Sequence, residues 1–339
     1  MIISKTPFRI SFFGGGTDYP VWYHNNDGAV LSTTIDKYCY ITCRYLPPFF
    51  EHKHRIIYSL TEQVRSVAEI KHPSVRGCME FTGIDEGIEI HHDGDLPART
   101  GLGSSSAFTV GLLNSLYALK GIMVTKERLA RDAIHIEQKV LKENVGSQDQ
   151  IASAYGGFNV VEFNGTNRFH VRPVTIDGPR FDELQDHLML FFTGFSRNAS
   201  DIAAEQIKMT PHKAKELKRI YQLVKEAVAV INSRQDITRF GKLLHESWQI
   251  KRDLTHKIST PAIDDIYDAA RKAGAIGGKL LGAGGGGFML FFVRTNARKR
   301  VKDRLKHLLH VPFKFENSGS QIIFYSPPYK ANGAVTGRG

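Results

Sequence analysis

The chain is predicted to be an α+β protein built in two halves. Strand-like runs near 8–13, 38–46, 54–59 and 86–91 precede helical stretches near 104–120 and 125–143. The pattern breaks around 175–185, where Asp177-Gly178-Pro179 interrupts it, and a second series of helices and strands follows. At 339 residues, the length allows about two domains. We therefore expect an N-terminal half over 1–182, a C-terminal half over 183–328 and a loose tail over 329–339.

Each element has its own local reason. In the stretch 104–120, Ala107, Val110, Leu113, Leu116 and Tyr117 recur at helical spacing and Gly121 can end the helix. Over 125–143, Leu129, Ala133, Ile136 and Val140 share one face, and Ala130, Ile134, Glu137 and Leu141 form the adjacent row. Strands are expected near 158–163 and 187–193. The second half opens with a long helix from Pro211, with Thr210 as its N-cap and a stripe of Leu217, Ile220, Val224, Val228 and Ile231. A helix from Pro261 leads into the glycine-rich stretch 277–287. The run Phe288-Met289-Leu290-Phe291-Phe292-Val293 then reads as a buried strand. A basic helix near 296–309 and a strand at 321–325 complete the order.

Composition narrows the function classes. The formal net charge of +11 suits nucleic acid, an anionic surface or anionic small substrates. Lys-rich helices such as 208–225 and 298–306 account for most of it as solvated faces. No RNP-type aromatic motif or dense basic stripe is present, so no nucleic-acid partner is expected, although an RNA-binding module is the reading outside enzymes. Cys39, Cys43 and Cys78 read as small buried hydrophobes in a reducing compartment. No apolar run approaches bilayer length and no signal peptide is visible after Lys5, so a cytoplasmic protein without a membrane partner is expected.

Three glycine-rich blocks stand out. The first is Phe12-Phe13-Gly14-Gly15-Gly16-Thr17-Asp18-Tyr19. The second, Pro97-Ala98-Arg99-Thr100-Gly101-Leu102-Gly103-Ser104-Ser105-Ser106-Ala107, runs straight into a helix. Gly101 and Gly103 let the backbone approach a ligand, and a helix start at the serines offers free N–H groups to an anion. The third is Lys279-Leu280-Leu281-Gly282-Ala283-Gly284-Gly285-Gly286-Gly287. There is no Gly-x-x-x-x-Gly-Lys-Ser/Thr loop and no Gly-x-Gly-x-x-Gly after a strand.

In this order, the three blocks resemble those of the GHMP small-molecule kinases, which include galactokinase, homoserine kinase, mevalonate kinase and phosphomevalonate kinase. The resemblance spans nearly the whole chain. It implies a ribosomal-S5-domain-2-like N-terminal domain and a ferredoxin-like C-terminal domain, with the site between them. It also implies ATP and Mg²⁺. In galactokinases a Glu-His pair stands where this chain has Gly15-Gly16, and that Glu contacts the galactose C6 hydroxyl. Its absence implies a sugar with a different C6 substituent. The wording of the block is similar to the D-glycero-D-manno-heptose 7-phosphate kinases, and fucokinase-type enzymes share part of it.

The resemblance also implies roles. Gly101, Leu102, Gly103, Ser104, Ser105, Ser106 and Ala107 would bind ATP. Gly15, Gly16, Thr17, Asp18, Tyr19, Gly284 and Gly285 would meet the substrate, with Asp18 accepting vicinal hydroxyls. Asp149, in Gly146-Ser147-Gln148-Asp149-Gln150, would be the catalytic base, with Arg9 beside it stabilising charge. Glu137 is an odd carboxylate in an apolar helical row. It is a candidate Mg²⁺ ligand with Ser105 or Ser106, and an edge ion pair is the plainer alternative. A terminal phosphate would need a cation. Arg197, in a Gly/Ser loop after a predicted strand, is the first choice, and Lys37 and Arg99 are others. The expected reaction is phosphorylation of the C1 hydroxyl of a heptose 7-phosphate, with a fucose or other sugar 1-kinase as the alternative. The partner is then a small sugar phosphate. The oligomeric state stays open, a homodimer being one option.

Overall fold

Two long strands, β1 (Ile2–Phe13) and β2 (Gly28–Tyr45), carry the first half of the chain, flanking the single helical turn α1 (Pro20–Tyr23). They belong to a computed structural model that describes residues 1–165, 168–194 and 199–326. From Thr6 onward every residue of β1 is buried, because helices cover both faces of the sheet there. Phe8, Ile10, Phe12 and Phe13 make 8–13 legible as a strand, whereas 2–7 carries Ser4, Lys5 and Thr6 and buries two of them, Ser4 and Thr6.

The sheet widens along β2. A hairpin of β3 (His54–Ile57) and β4 (Thr61–Val64) precedes the helix α2 (Pro73–Thr82). Strand β5 (Ile88–Gly94) then pairs antiparallel with β2 and parallel with β3. Helices α3 (Ser104–Leu119), α4 (Lys126–His135) and α5 (Gln148–Tyr155) follow, and α3 and α5 pack on β1 and β2. Strand β6 (Phe158–Asn164) pairs with the start of β2 and with β7 (Arg168–Pro173).

The expected single helix over 125–143 is not what forms. It opens as predicted, with Thr125 Oγ1 accepting from Arg128 N at 3.2 Å. After His135 the turn widens into a π-helical segment over Ile136–Val140, closed by Leu141 N donating to Ile136 O at 2.8 Å. Such turns recur at functional sites. This one brings Ile136 and Glu137 to the interior together.

At the expected break, Asp177-Gly178-Pro179 starts a helix. Asp177 Oδ1 caps α6 (Gly178–Asp186) by accepting from Arg180 N, and Pro179 sits in the first turn. The chain continues through β8 (Leu188–Phe192), α7 (Ala199–Met209), α8 (Ala214–Ile231), α9 (Thr238–Arg252) and α10 (Pro261–Lys272). It then passes through β9 (Ala275–Leu280), β10 (Phe288–Val293), α11 (Arg298–Arg304) and β11 (Leu309–His310). The antiparallel order β11-β8-β10-β9, with helices after β8 and β10, is the ferredoxin-like βαββαβ pattern.

Thr210 does not cap the long helix. Its hydroxyl donates back to Gln206 O at 2.9 Å, finishing α7, and α8 begins only at Ala214 after a 3₁₀ turn. The apolar stripe holds: Leu217, Ile220, Val224 and Ile231 are buried. The basic helix is shorter than expected, at Arg298–Arg304.

The C-terminal strands correct the expected division of the chain. Strands β12 (Phe315–Glu316) and β13 (Gln321–Tyr325) leave the second half and pair with β2 and β1. The expected tail lies outside the described residues. Aromatic packing joins the halves: Phe240 of α9 meets the rings of Phe12 and Phe13 edge-on, at 5.5 and 5.1 Å.

Candidate active site

The candidate site starts where α3 begins. Gly103 precedes Ser104 with φ +75°, and Gly101 has φ +86°, both in the region that favours glycine. The first helical turn leaves the N–H groups of Ser104, Ser105 and Ser106 without intrahelical acceptors. The third glycine block presses on this loop. A Cβ at Gly282 would lie 2.5 Å from Gly101 Cα, and one at Gly101 would overlap Leu281 O. Only backbone can fill both places, so the second and third blocks meet glycine on glycine. Thr100 O accepts from Phe288 N at 3.1 Å and ties the loop to β10.

Asp149 lies in the first turn of α5, facing that loop. Arg9 of β1 grips it with two parallel bonds: Nε to Oδ1 and Nη2 to Oδ2, each 2.8 Å. Nη1 donates to Gly101 O at 2.7 Å, so one guanidinium links the carboxylate to the second glycine block. Arg9 is 3% exposed, whereas the Asp149 side chain is 26% exposed and reaches the cleft.

Asp18 is deeper. Its Oδ1 accepts from Gly16 N at 2.9 Å and its Oδ2 from Gln148 Nε2 at 3.0 Å. Burial raises its pKa above the usual carboxylate range, partly countered by the Gly16 N–H. Gly146 makes room for it: any Cβ there would fall on Asp18 Oδ2. Beside Asp18, Gly15 leaves open space, with nothing nearer to a Cβ than Gln148 Nε2 at 3.8 Å. Gly16 does not, since a Cβ would come within 2.7 Å of Gln206 Nε2. Tyr19 is buried at the same wall.

Glu137 is 1% exposed. Its Oε2 accepts from Ser106 Oγ at 2.9 Å and from Gln150 Nε2. Its Oε1 is buried without a hydrogen-bond partner among the described residues. Desolvation pushes its pKa up to about 7. The edge ion pair is therefore not formed, and the structure selects Ser106, rather than Ser105, as the hydroxyl beside this carboxylate. One carboxylate oxygen and one hydroxyl are what a Mg²⁺ ion takes when phosphates supply the rest. No group of three or more His, Cys, Asp or Glu able to hold a metal occurs among the described residues.

The loop glycines and serines, Arg9, Asp149, Asp18, Gly146, Gly15, Gly16 and Tyr19 line one cleft of about 290 Å³, and Glu137 lies behind two of its lining residues, Ser106 and Gln150. The cleft also receives two lysines that sequence reasoning missed, Lys251 from α9 and Lys279 from β9. Several expected contacts fall elsewhere. Thr17 is fully buried in its own turn, where its hydroxyl donates to Gly14 O and Ala29 O and accepts from Ala29 N. Gly284 and Gly285 pack against Ile258 and do not line the cleft: Gly285 N donates to Ile258 O at 2.9 Å, and a Cβ at Gly284 would strike the Ile258 backbone. The block reaches the cleft through Gly282 and Ala283 instead. Leu102 and Ala107 are buried, and Leu102 O accepts from Arg9 N. Lys37 pairs with Asp36 away from the cleft, whereas Arg99 lines it. Arg197 lies outside the described residues.

Residues 67–157 match the GHMP kinases N terminal domain, and residues 215–310 match the GHMP kinases C terminal domain. The chain belongs to the GHMP kinase family. As a GHMP kinase it is a phosphotransferase. It is 30% identical to a D-glycero-alpha-D-manno-heptose 7-phosphate kinase from Campylobacter jejuni, over 86% of this chain and 89% of that one. It is 24% identical to a bifunctional fucokinase/GDP-fucose pyrophosphorylase from Arabidopsis thaliana, covering 92% of this chain but 32% of that larger protein. A crystal structure described as a D-glycero-D-manno-heptose 1-phosphate kinase from Bacteriodes thetaiotaomicron has the same fold, with a TM-score of 0.79 at 24% identity, over 96% of this chain and 100% of the other. No helix among the described residues is long and apolar enough to cross a membrane.

Proposed function

We propose that this GHMP sugar kinase transfers the γ-phosphoryl group of ATP to the C1 hydroxyl of D-glycero-D-manno-heptose 7-phosphate, giving the 1,7-bisphosphate. The observation that carries the reading is the shared cleft. It brings the Asp149–Arg9 pair and Asp18 against the phosphate loop, with open space at Gly15 where a galactose-type Glu would otherwise stand. The Campylobacter relative supports the sugar. Fucose is the competing substrate, on the Arabidopsis relative.

Phosphoryl transfer asks mainly for positioning and charge stabilisation. The N–H groups at the start of α3 hold phosphate oxygens. Asp18 accepts two sugar hydroxyls and sets the ring. Asp149 accepts the proton of the C1 hydroxyl, and Arg9 fixes its plane. Glu137 Oε1 and Ser106 Oγ are the pair that fits Mg²⁺. When bound, that ion would neutralise charge on the nucleotide phosphates.

The metal assignment has a pH signature. Below about pH 7 the Glu137 carboxyl carries a proton that a cation has to displace. The half-saturating Mg²⁺ concentration should therefore fall as pH rises from about 6 to about 8. Glu137→Gln should raise that concentration and flatten its pH dependence. A titration that superimposes on wild type at each pH would remove Glu137 from the metal site.

The substrate assignment is tested by kcat/KM for heptose 7-phosphate, free heptose, fucose and galactose. A buried charge-assisted contact to the terminal phosphate, if lost, costs about 2–4 kcal/mol, or roughly 30–1000-fold in kcat/KM. Arg197→Ala should erase most of that preference. A wild-type enzyme that prefers fucose refutes the heptose reading.

A further inference from the structure

Three cations converge at the floor of the cleft, and two of them are already committed. Arg9 is engaged with Asp149 and Gly101 O. Lys279 Nζ donates to Ser11 O and Phe12 O, at 2.9 Å each, and braces β9 on β1. Lys251 differs. It projects from the last turn of α9 and is only 7% exposed. Among the described residues its ammonium has one hydrogen-bond acceptor, Gly282 O at 2.5 Å, and no carboxylate forms an ion pair with it. An ammonium carries three donors, and a buried cation left with unused donors is costly unless an anion completes it.

Its position says which anion. Gly282, whose carbonyl holds Lys251, is the residue packed on Gly101 of the phosphate loop. The charged groups that face Lys251 across the cleft are Arg9, Asp18 and Asp149, with Lys279 behind. Lys251 thus stands at the joint between the loop that holds phosphate and the carboxylate that faces the acceptor hydroxyl. On the reading of this cleft as an ATP-dependent kinase site, we propose that Lys251 contacts the γ-phosphoryl group during its transfer and neutralises charge on its oxygens. Charge placed in advance where the transition state develops it is a large source of rate. The lysine comes from the C-terminal half, whereas Arg9, Asp149 and the loop come from the N-terminal half. Turnover therefore depends on how the halves sit together.

Burial and the neighbouring Arg9 bring the Lys251 pKa down to about 8. The ammonium is then lost above about that pH in the free enzyme, so the rate should have an alkaline limb.

The test uses Lys251→Met and Lys251→Arg in the full chain. Lys251→Met should lower kcat by about 10²–10³-fold with little change in the KM of the sugar phosphate. By calorimetry it should weaken a non-hydrolysable ATP analogue about tenfold more than ADP, since only the former carries a γ-phosphate. Lys251→Arg should move the alkaline limb upward, because guanidinium stays charged. Equal losses for analogue and ADP would overturn the proposal. So would a loss confined to phosphorylated sugars, which would put the contact on the substrate's own phosphate. If Lys251→Met does not fold, an unmoved limb in Lys251→Arg overturns it. A wild-type enzyme inactive on every sugar phosphate would refute the substrate reading, and the analogue-against-ADP comparison would still decide the role of Lys251.

Discussion

Asp149→Asn should lower kcat by about 10²–10⁴-fold, the usual worth of a positioned general base. The amide has the size of the carboxylate and keeps one oxygen to accept from Arg9, so the fold and the first turn of α5 should survive. It cannot take a proton from the sugar hydroxyl, and its NH₂ group faces a guanidinium N–H that now lacks an acceptor. Nucleotide affinity should be nearly unchanged, because the proposed phosphate contacts lie at the start of α3 rather than on α5. Steady-state kinetics with a nucleotide-binding isotherm separate the two effects. Turnover within about twofold of wild type would mean that positioning alone carries the reaction and that Asp149 only anchors Arg9.

Gly146→Ala should be nearly as severe, for a reason of geometry rather than proton transfer. The new methyl would occupy the place of Asp18 Oδ2. Asp18 cannot swing away cheaply. It is 2% exposed, held by Gly16 N and Gln148 Nε2, and its carbonyl accepts from Ser147 N at 3.0 Å. Either Asp18 or the segment leading into α5 has to shift. A misplacement of about 1 Å at a positioning group can cost about 10²-fold, so kcat/KM for the sugar should fall by about that factor. ATP affinity should hold, since the phosphate loop is untouched. Gly178→Ala is the control: nothing lies within 4 Å of a Cβ there. Wild-type kcat/KM in Gly146→Ala would show that Asp18 does not set the substrate.

Much of the fold was legible because it rests on local chemistry. The apolar rows of α3 and α4 and the continuous run of β10 act within a few positions of themselves. The site was partly legible for the same reason. Glycines followed by serines at a helix start offer free N–H groups to an anion, and a carboxylate in an apolar row signals Glu137 as unusual.

Other features depend on a partner far away in the chain. Thr17 looks like a substrate contact until Ala29 is seen to claim its hydroxyl. Gly284 and Gly285 look like ligand glycines until Ile258 is seen against them. Ser105 and Ser106 are equivalent by spacing, and only the π-helical turn at Ile136–Val140 brings Glu137 to Ser106. Lys251 carries no local signal, since a lysine in the last turn of a helix is ordinary. Strand β13 is readable as a strand but not as the neighbour of β1. The sequence by itself determined the class of fold, the three glycine blocks and the residue types that the chemistry needs, because these follow from each residue's own side chain and its nearest neighbours. Tertiary structure decided which of them share the cleft, because burial, register and the close approach of Gly101 to Gly282 exist only once β1, α9 and β9 are packed together.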